Sequence, residues 1–100
     1  MVKIINQSTS EVNLKNIKSF VDRLVDNEIN IEIIFIEKKY SRELNNRYRG
    51  IHSATDILTF TEKGKEYTHQ IFICPEIAQK NALKYQNSLE KELLMLIFHG

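Results

Sequence analysis

Scarcity frames this chain. One cysteine, Cys74, in 100 residues excludes an internal disulfide framework and suits a reducing compartment. One proline and three glycines leave few places for the backbone to break, so most of the chain should be regular helix and strand. Repeats, low-complexity tracts and linkers are absent, which predicts one domain over residues 1–100. No apolar stretch approaches the ~20 residues of a membrane span. The N-terminus, Met1-Val2-Lys3-Ile4-Ile5-Asn6, lacks the apolar core and small-residue cleavage site of a signal peptide. A soluble, cytoplasmic protein with no membrane partner is the expectation. Charge of one sign is also lacking: 14 basic residues face 13 acidic ones, for a net charge of +1. Such a balance gives no global pull toward nucleic acid, so any binding there must rest on a local patch.

What is present is strong periodicity. Val2 to Ile5 is a β-branched run that reads as a strand. Leu14, Ile17, Phe20, Val21, Leu24 and Val25 recur at helical spacing, predicting an amphipathic helix over about 13–26 with Asn13 as its cap. Ile31 to Ile36 is apolar on both faces apart from Glu32, the pattern of an interior strand. Ser41 is expected to cap a short helix carrying Leu44 and Tyr48, with Gly50 as its left-handed stop. Residues 57–60 and 71–74 read as two strands, joined by a polar turn over 61–67 centred on Gly64. Pro75 suits a first helical position, and Ser88 a cap for the final helix. The order is β-α-β-α-β-β-α-α, an α+β fold with a small mixed four-stranded sheet packed against helices.

The chain ends on Leu93-Leu94-Met95-Leu96-Ile97-Phe98 and then His99-Gly100, with no C-cap, basic last turn or polar tail. A helix apolar on nearly every side must be wrapped by other protein. Leu93, Leu96 and Ile97 are therefore expected to lie uncovered, in a single domain that is incomplete at its C-terminus and truncated in its last helix.

Two blocks carry a family resemblance. Leu44-Asn45-Asn46-Arg47-Tyr48-Arg49-Gly50, followed by Ala54-Thr55-Asp56-Ile57-Leu58-Thr59-Phe60, resembles the YbeY family of bacterial rRNA maturation factors. That family's pattern is Leu-Asn-x-x-Tyr-Arg, a short loop, then Pro-Thr-Asp/Asn-Val-Leu-Ser-Phe. Ile71 to Ala78 is similar to its strand and helix start, and Glu92 through Gly100 to the segment entering its metal motif, His-Gly-x-Leu-His-Leu-x-Gly-x-Asp-His. Departures are His52 for an acidic residue, Ala54 for proline, Thr59 for serine, and His69-Gln70 for Gly-Asp. The resemblance implies a single-strand-specific zinc metallo-endoribonuclease acting in 16S rRNA 3′-end maturation and ribosome quality control. Its partners would be ribosomal RNA, the ribosome or the small subunit, and not DNA. One zinc would be held by three histidines, of which only the first, His99, lies in these residues. The 100 residues are accordingly expected to be inactive alone. The alternative is a non-catalytic RNA- or ribosome-binding module using the Arg42 to Arg49 region.

Each candidate residue has a plain reading beside the functional one. Alone, a histidine at an apolar helix end, such as His99, is more often packed core; the resemblance makes it a zinc ligand. Arg49 offers planar bidentate contacts to phosphate and is the expected catalytic and substrate-binding group. Arg47, Arg42, Lys39 and Lys38 extend a basic track, the lysines reading as a solvated face paired with Glu37 and Glu43. Thr55 and Thr59 are expected to touch substrate, Thr55 with Asp56 also forming a turn that opens a strand. Glu92 sits two turns before His99 on the same helical face, able to orient a ligand or to pair with a lysine. His52, His69 and Cys74 share no ligand-like spacing, and Cys74 reads as a buried small apolar residue.

Overall fold

The run Asn30–Phe35 forms strand β2, and its alternate side chains enter two different cores. The computed structural model describes residues 1–26, 28–64 and 67–99, apart from the side chains of residues 67 and 99. Among these, the other elements are β1 (Val2–Asn6), α1 (Leu14–Leu24), α2 (Lys38–Arg49), β3 (Ile57–Lys63), β4 (Tyr67–Ile73), α3 (Pro75–Lys84) and α4 (Leu89–His99). They follow the expected order. The sheet runs β1-β2-β4-β3, with β1 and β4 parallel to β2 and β3 antiparallel to β4. Strand β2 is thus interior, as its two-sided apolar pattern requires.

Ile33 and Phe35 point to one face, where they meet Val2, Ile71 and Ile73 from the sheet, Ile17 and Val21 of α1, Ala78 of α3, and Leu93 and Ile97 of α4. Ile34 points the other way, into a smaller cluster with Ile36, Leu44 of α2 and Leu58, edged by Phe60 and Phe72. Three helices therefore cover one face, and α2 is the helix of the other.

Helix ends follow side-chain chemistry. The Asn13 side chain accepts a bond from the Asn16 N–H at 3.1 Å, and Ser88 Oγ accepts from the Lys91 N–H at 3.1 Å, both as expected. Pro75 opens α3. Gly50 ends α2 in the left-handed conformation, φ 69°, where a side chain would be strained. The Gly50 and Ile51 N–H groups fold back onto the carbonyls of Asn46 and Asn45. Cys74 is buried, its N–H bonded to the Asp56 carbonyl, and burial pushes its thiol pKa up.

Three expectations need correction. Ser41 does not cap α2: the helix starts at Lys38 and Ser41 lies inside it, where its hydroxyl serves a distant loop. The turn expected over 61–67 is largely strand, because Thr61, Glu62 and Lys63 pair with His69, Thr68 and Tyr67. Backbone ladders need no apolar side chains, and a two-sided exposed hairpin end therefore shows no alternation. Leu93 and Ile97 are not uncovered either; they are part of the main core. The exposed apolar residues of α4 are Met95 and Phe98, the latter edge-to-face with Phe20 of α1 at 5.9 Å. No helix among the described residues is long and apolar enough to cross a membrane.

Candidate functional site

The most distinctive stretch of the sequence becomes α2 and the loop that leads into β3. Helix α2 carries Lys38, Lys39, Arg42, Arg47 and Arg49 against a single acid, Glu43. That is a charge of +4 in a chain whose total is +1, so everything else carries −3. All five basic residues are exposed, and none makes an ion pair with a described residue. The pairing of the lysines with Glu37 and Glu43 read from the sequence is not formed. Lys38 and Lys39 also sit in the first turn, where the helix dipole disfavours cations, so their placement gives α2 no stability.

Buried polar side chains on the inner face of α2 fix the loop after it. Ser41 Oγ accepts from the Thr55 N–H at 3.0 Å and donates to the Thr55 carbonyl at 2.7 Å. One turn on, Asn45 Nδ2 donates to the Ser53 carbonyl at 2.7 Å. The two are four residues apart and share a helical face with Leu44 and Tyr48. Their roles went unread in the sequence, although polar residues at the helix's inward spacing were the available signal. Loss of the hydroxyl strands two backbone groups. We expect Ser41→Ala to lower stability by about 1–3 kcal/mol, read from a urea unfolding curve.

Arg49 stands at the end of this clamp, the last residue of α2, exposed and without an ion pair to any described residue. The Thr55 hydroxyl turns back on its own segment, donating to Asp56 Oδ1 at 3.4 Å and to the Ile57 carbonyl at 3.5 Å. Asp56 instead reaches α3, accepting from Asn81 Nδ2 at 3.3 Å. Thr59 is exposed on the edge strand β3; its register with Ile71 and Ile33 puts it on the three-helix face, opposite Phe60 and α2. Arg49 and Thr59 thus belong to opposite faces of the sheet, Thr55 lies in the loop between them in sequence, and no hydrogen bond joins any two of the three among the described residues.

Glu92 is buried on α4, where Asn87 Nδ2 donates to its carboxylate at 3.4 Å rather than a lysine. His69 bonds across the hairpin to the Thr61 hydroxyl at 3.1 Å. His52 borders a depression with Arg42, Glu43 and Asn46. His99 ends α4, and its side chain lies outside the described residues. Among the described residues no group of three His, Cys, Asp or Glu side chains is placed to hold a metal ion.

A second row of side chains joins α2 to the sheet. Tyr40 meets Phe72, Phe72 meets Phe60, and Phe60 meets Tyr48, all edge-to-face at centroid distances of 6.5, 5.8 and 4.8 Å.

Comparison with known proteins places this geometry. A family model described as Endoribonuclease YbeY matches residues 3–100. An endoribonuclease YbeY of Thermotoga neapolitana is 36% identical over 103 residues, covering 100% of this chain and 68% of the relative. One from Helicobacter pylori strain P12 is 34% identical over 102 residues, covering 100% of this chain and 72% of the relative. A solution structure of a Thermotoga maritima protein superposes with a TM-score of 0.77 at 31% identity, covering 100% of this chain and 69% of that one. With the α2–β3 block, the sheet order and the whole-length match in agreement, the chain belongs to the endoribonuclease YbeY family.

Proposed function

We propose that this protein acts as a single-strand-specific, zinc-dependent endoribonuclease in 16S rRNA 3′-end maturation and ribosome quality control. Family membership carries the reading. The +4 charge of α2 supports it, since a helix of unpaired cations suits a polyanionic backbone. Ribosomal RNA on the ribosome or its small subunit would be the partner, and the cytoplasm the compartment. Arg49 is the group proposed to meet the scissile phosphate, because a guanidinium offers two parallel N–H donors to phosphate oxygens as negative charge builds on them. Thr55 orders the loop behind Arg49, and Thr59 offers a hydroxyl at the strand edge.

The zinc dependence rests on the likeness of His99-Gly100 to the opening of the family's metal motif. The described residues do not supply a three-donor set, so the remaining ligands would come from outside them. When bound, zinc would supply a water of lowered pKa. A tight site needs several ligands assembled at once. The 100-residue chain is therefore expected to hold well under one zinc per molecule after dialysis and to leave single-stranded RNA uncut. Stoichiometric zinc by metal analysis would show that His52, His69 or Cys74 completes a site with His99.

A second reading, a non-catalytic RNA- or ribosome-binding module, is favoured by one observation: the basic helix lies wholly within these residues. RNA bound without cleavage, in a longer protein containing this chain and loaded with zinc, would select it.

A further inference from the structure

We infer that Tyr40 and Tyr48 of α2 are base-stacking positions, and that the aromatic row ending in them is a platform for single-stranded RNA. This rests on the proposed RNA-directed function and names the part of the surface that reads the unpaired state.

The row is unevenly buried. Phe60 and Phe72 are half-buried and edge the α2-side core. Tyr40 and Tyr48 are 42% and 58% exposed, although both sit on a helix packed against the sheet. Each makes a single ring contact, to Phe72 and to Phe60, and neither hydroxyl makes a hydrogen bond among the described residues. An exposed tyrosine held by one edge-to-face contact keeps much of its ring free, already oriented and at little further entropy cost.

Charge selects the occupant. Arg47 and Arg49 bracket Tyr48, and Lys39 directly precedes Tyr40, while Lys38 and Arg42, two positions from Tyr40, project from the other side of the helix. On a helix, neighbours in sequence project about 100° to either side, so Tyr48 has a cation on both sides, whereas Tyr40 has Lys39 on one side and the buried Ser41 on the other. An apolar protein partner gains nothing from five unpaired cations, whereas a nucleic acid needs both components. Phosphates take the cations and unstacked bases take the rings. The tyrosines are eight residues apart, about 12 Å along the axis, which suits successive contacts on an extended strand. A duplex keeps its bases in their own stack and can use only the cations. The surface therefore discriminates single strand from double without reading sequence.

The test measures binding of a short single-stranded RNA, and of the duplex of the same length, to the 100-residue chain. Tyr48→Leu and Tyr40→Leu keep apolar contact with Phe60 and Phe72 but remove the ring; Tyr48→Phe restores it. Each leucine variant is expected to weaken single-strand binding by about fivefold or more, from the usual worth of one stacked base. Tyr48→Phe should bind like the original. Duplex affinity and the salt dependence of binding should not move, because the phosphate contacts remain. The chain has no tryptophan, so its fluorescence comes from its four tyrosines and should be quenched by single strand and not by duplex. Circular dichroism melts of each variant check that the fold is kept. Unchanged single-strand affinity in both leucine variants, with binding still lost on raising salt, overturns the stacking role and leaves the RNA reading standing. No binding of either RNA by the unaltered chain overturns both. A concentration-dependent dimer lost in Tyr48→Leu, with RNA affinity unmoved, would make the row a contact between copies and also overturn the inference.

Discussion

Arg49→Lys is expected to slow cleavage of single-stranded RNA by about 10²–10³-fold, the usual cost of removing one group that stabilises transition-state charge. The measurement belongs in a longer protein that carries this chain and cleaves RNA. The fold should not notice the change. Arg49 is exposed and makes no ion pair with any described residue, and lysine keeps a cation in the last turn, where the helix dipole favours one. Stability should stay within about 0.5 kcal/mol, as for an ordinary surface substitution. What lysine cannot keep is geometry. A guanidinium presents a rigid planar fork to two phosphate oxygens, whereas an ammonium is a point charge on a flexible stem. Position matters as much as type: Gly50 at φ 69° stops the helix one residue later, and Ser41 and Asn45 tie the following loop to α2. Arg49 therefore leaves the helix at a defined point, one residue after Tyr48, whose ring meets Phe60 of β3. A melting curve and initial rates on one preparation decide the matter. A variant that melts like the original and cleaves at the same rate would sink the role assigned to Arg49.

The parts of this architecture that were readable in advance are those in which local chemistry and global packing agree. Ile31 to Ile36 had to be interior because both faces were apolar, and β2 is the strand flanked by β1 and β4. Asn13, Gly50, Pro75 and Ser88 marked helix ends because each satisfies or removes a specific backbone group. Ser41 misled for the same reason. A serine near a helix start commonly caps it, and nothing local says that its hydroxyl is wanted by Thr55, fourteen residues on. The hairpin tip was hidden because strand pairing there rests on backbone bonds between polar residues such as Thr61 and His69. Leu93 and Ile97 were misplaced because an all-apolar run has no periodicity from which to choose an inner face; packing against α1 and α3 chose it. At the candidate site, the place of Arg49 at the end of α2 followed from Gly50, its left-handed stop. The face carrying Thr59 depends on sheet register, which composition does not carry. The rings on α2 were visible singly, and only the fold shows that Tyr40 and Tyr48 join Phe72 and Phe60 in one row.

Phe35→Ala is expected to destabilise the protein by about 3–5 kcal/mol, the usual cost of removing a buried phenylalanine ring. Against the 5–15 kcal/mol that holds a typical domain together, this is a large share. Phe35 is 0% exposed, lies on the interior strand opposite Asn6 of β1 and Ile73 of β4, and belongs to the cluster that joins the sheet to α1, α3 and α4. Neighbours from three helices and two adjacent strands cannot all collapse into the space it leaves, so the cavity term adds to the lost transfer energy. The opposite face should respond differently. Phe60 is half-buried at the rim of the smaller cluster, so Phe60→Ala should cost less than Phe35→Ala while removing the support under Tyr48. Urea unfolding should therefore rank Phe35→Ala below Phe60→Ala in stability. Single-stranded RNA binding, measured where both variants are folded, should rank them the other way. The opposed rankings follow if the sheet's two faces do separate work: one holds the domain together and the other, under α2, carries the proposed recognition surface. Equal losses of stability in the two variants, or weaker RNA binding by Phe35→Ala than by Phe60→Ala at full folding, would show that the faces are not separable in this way.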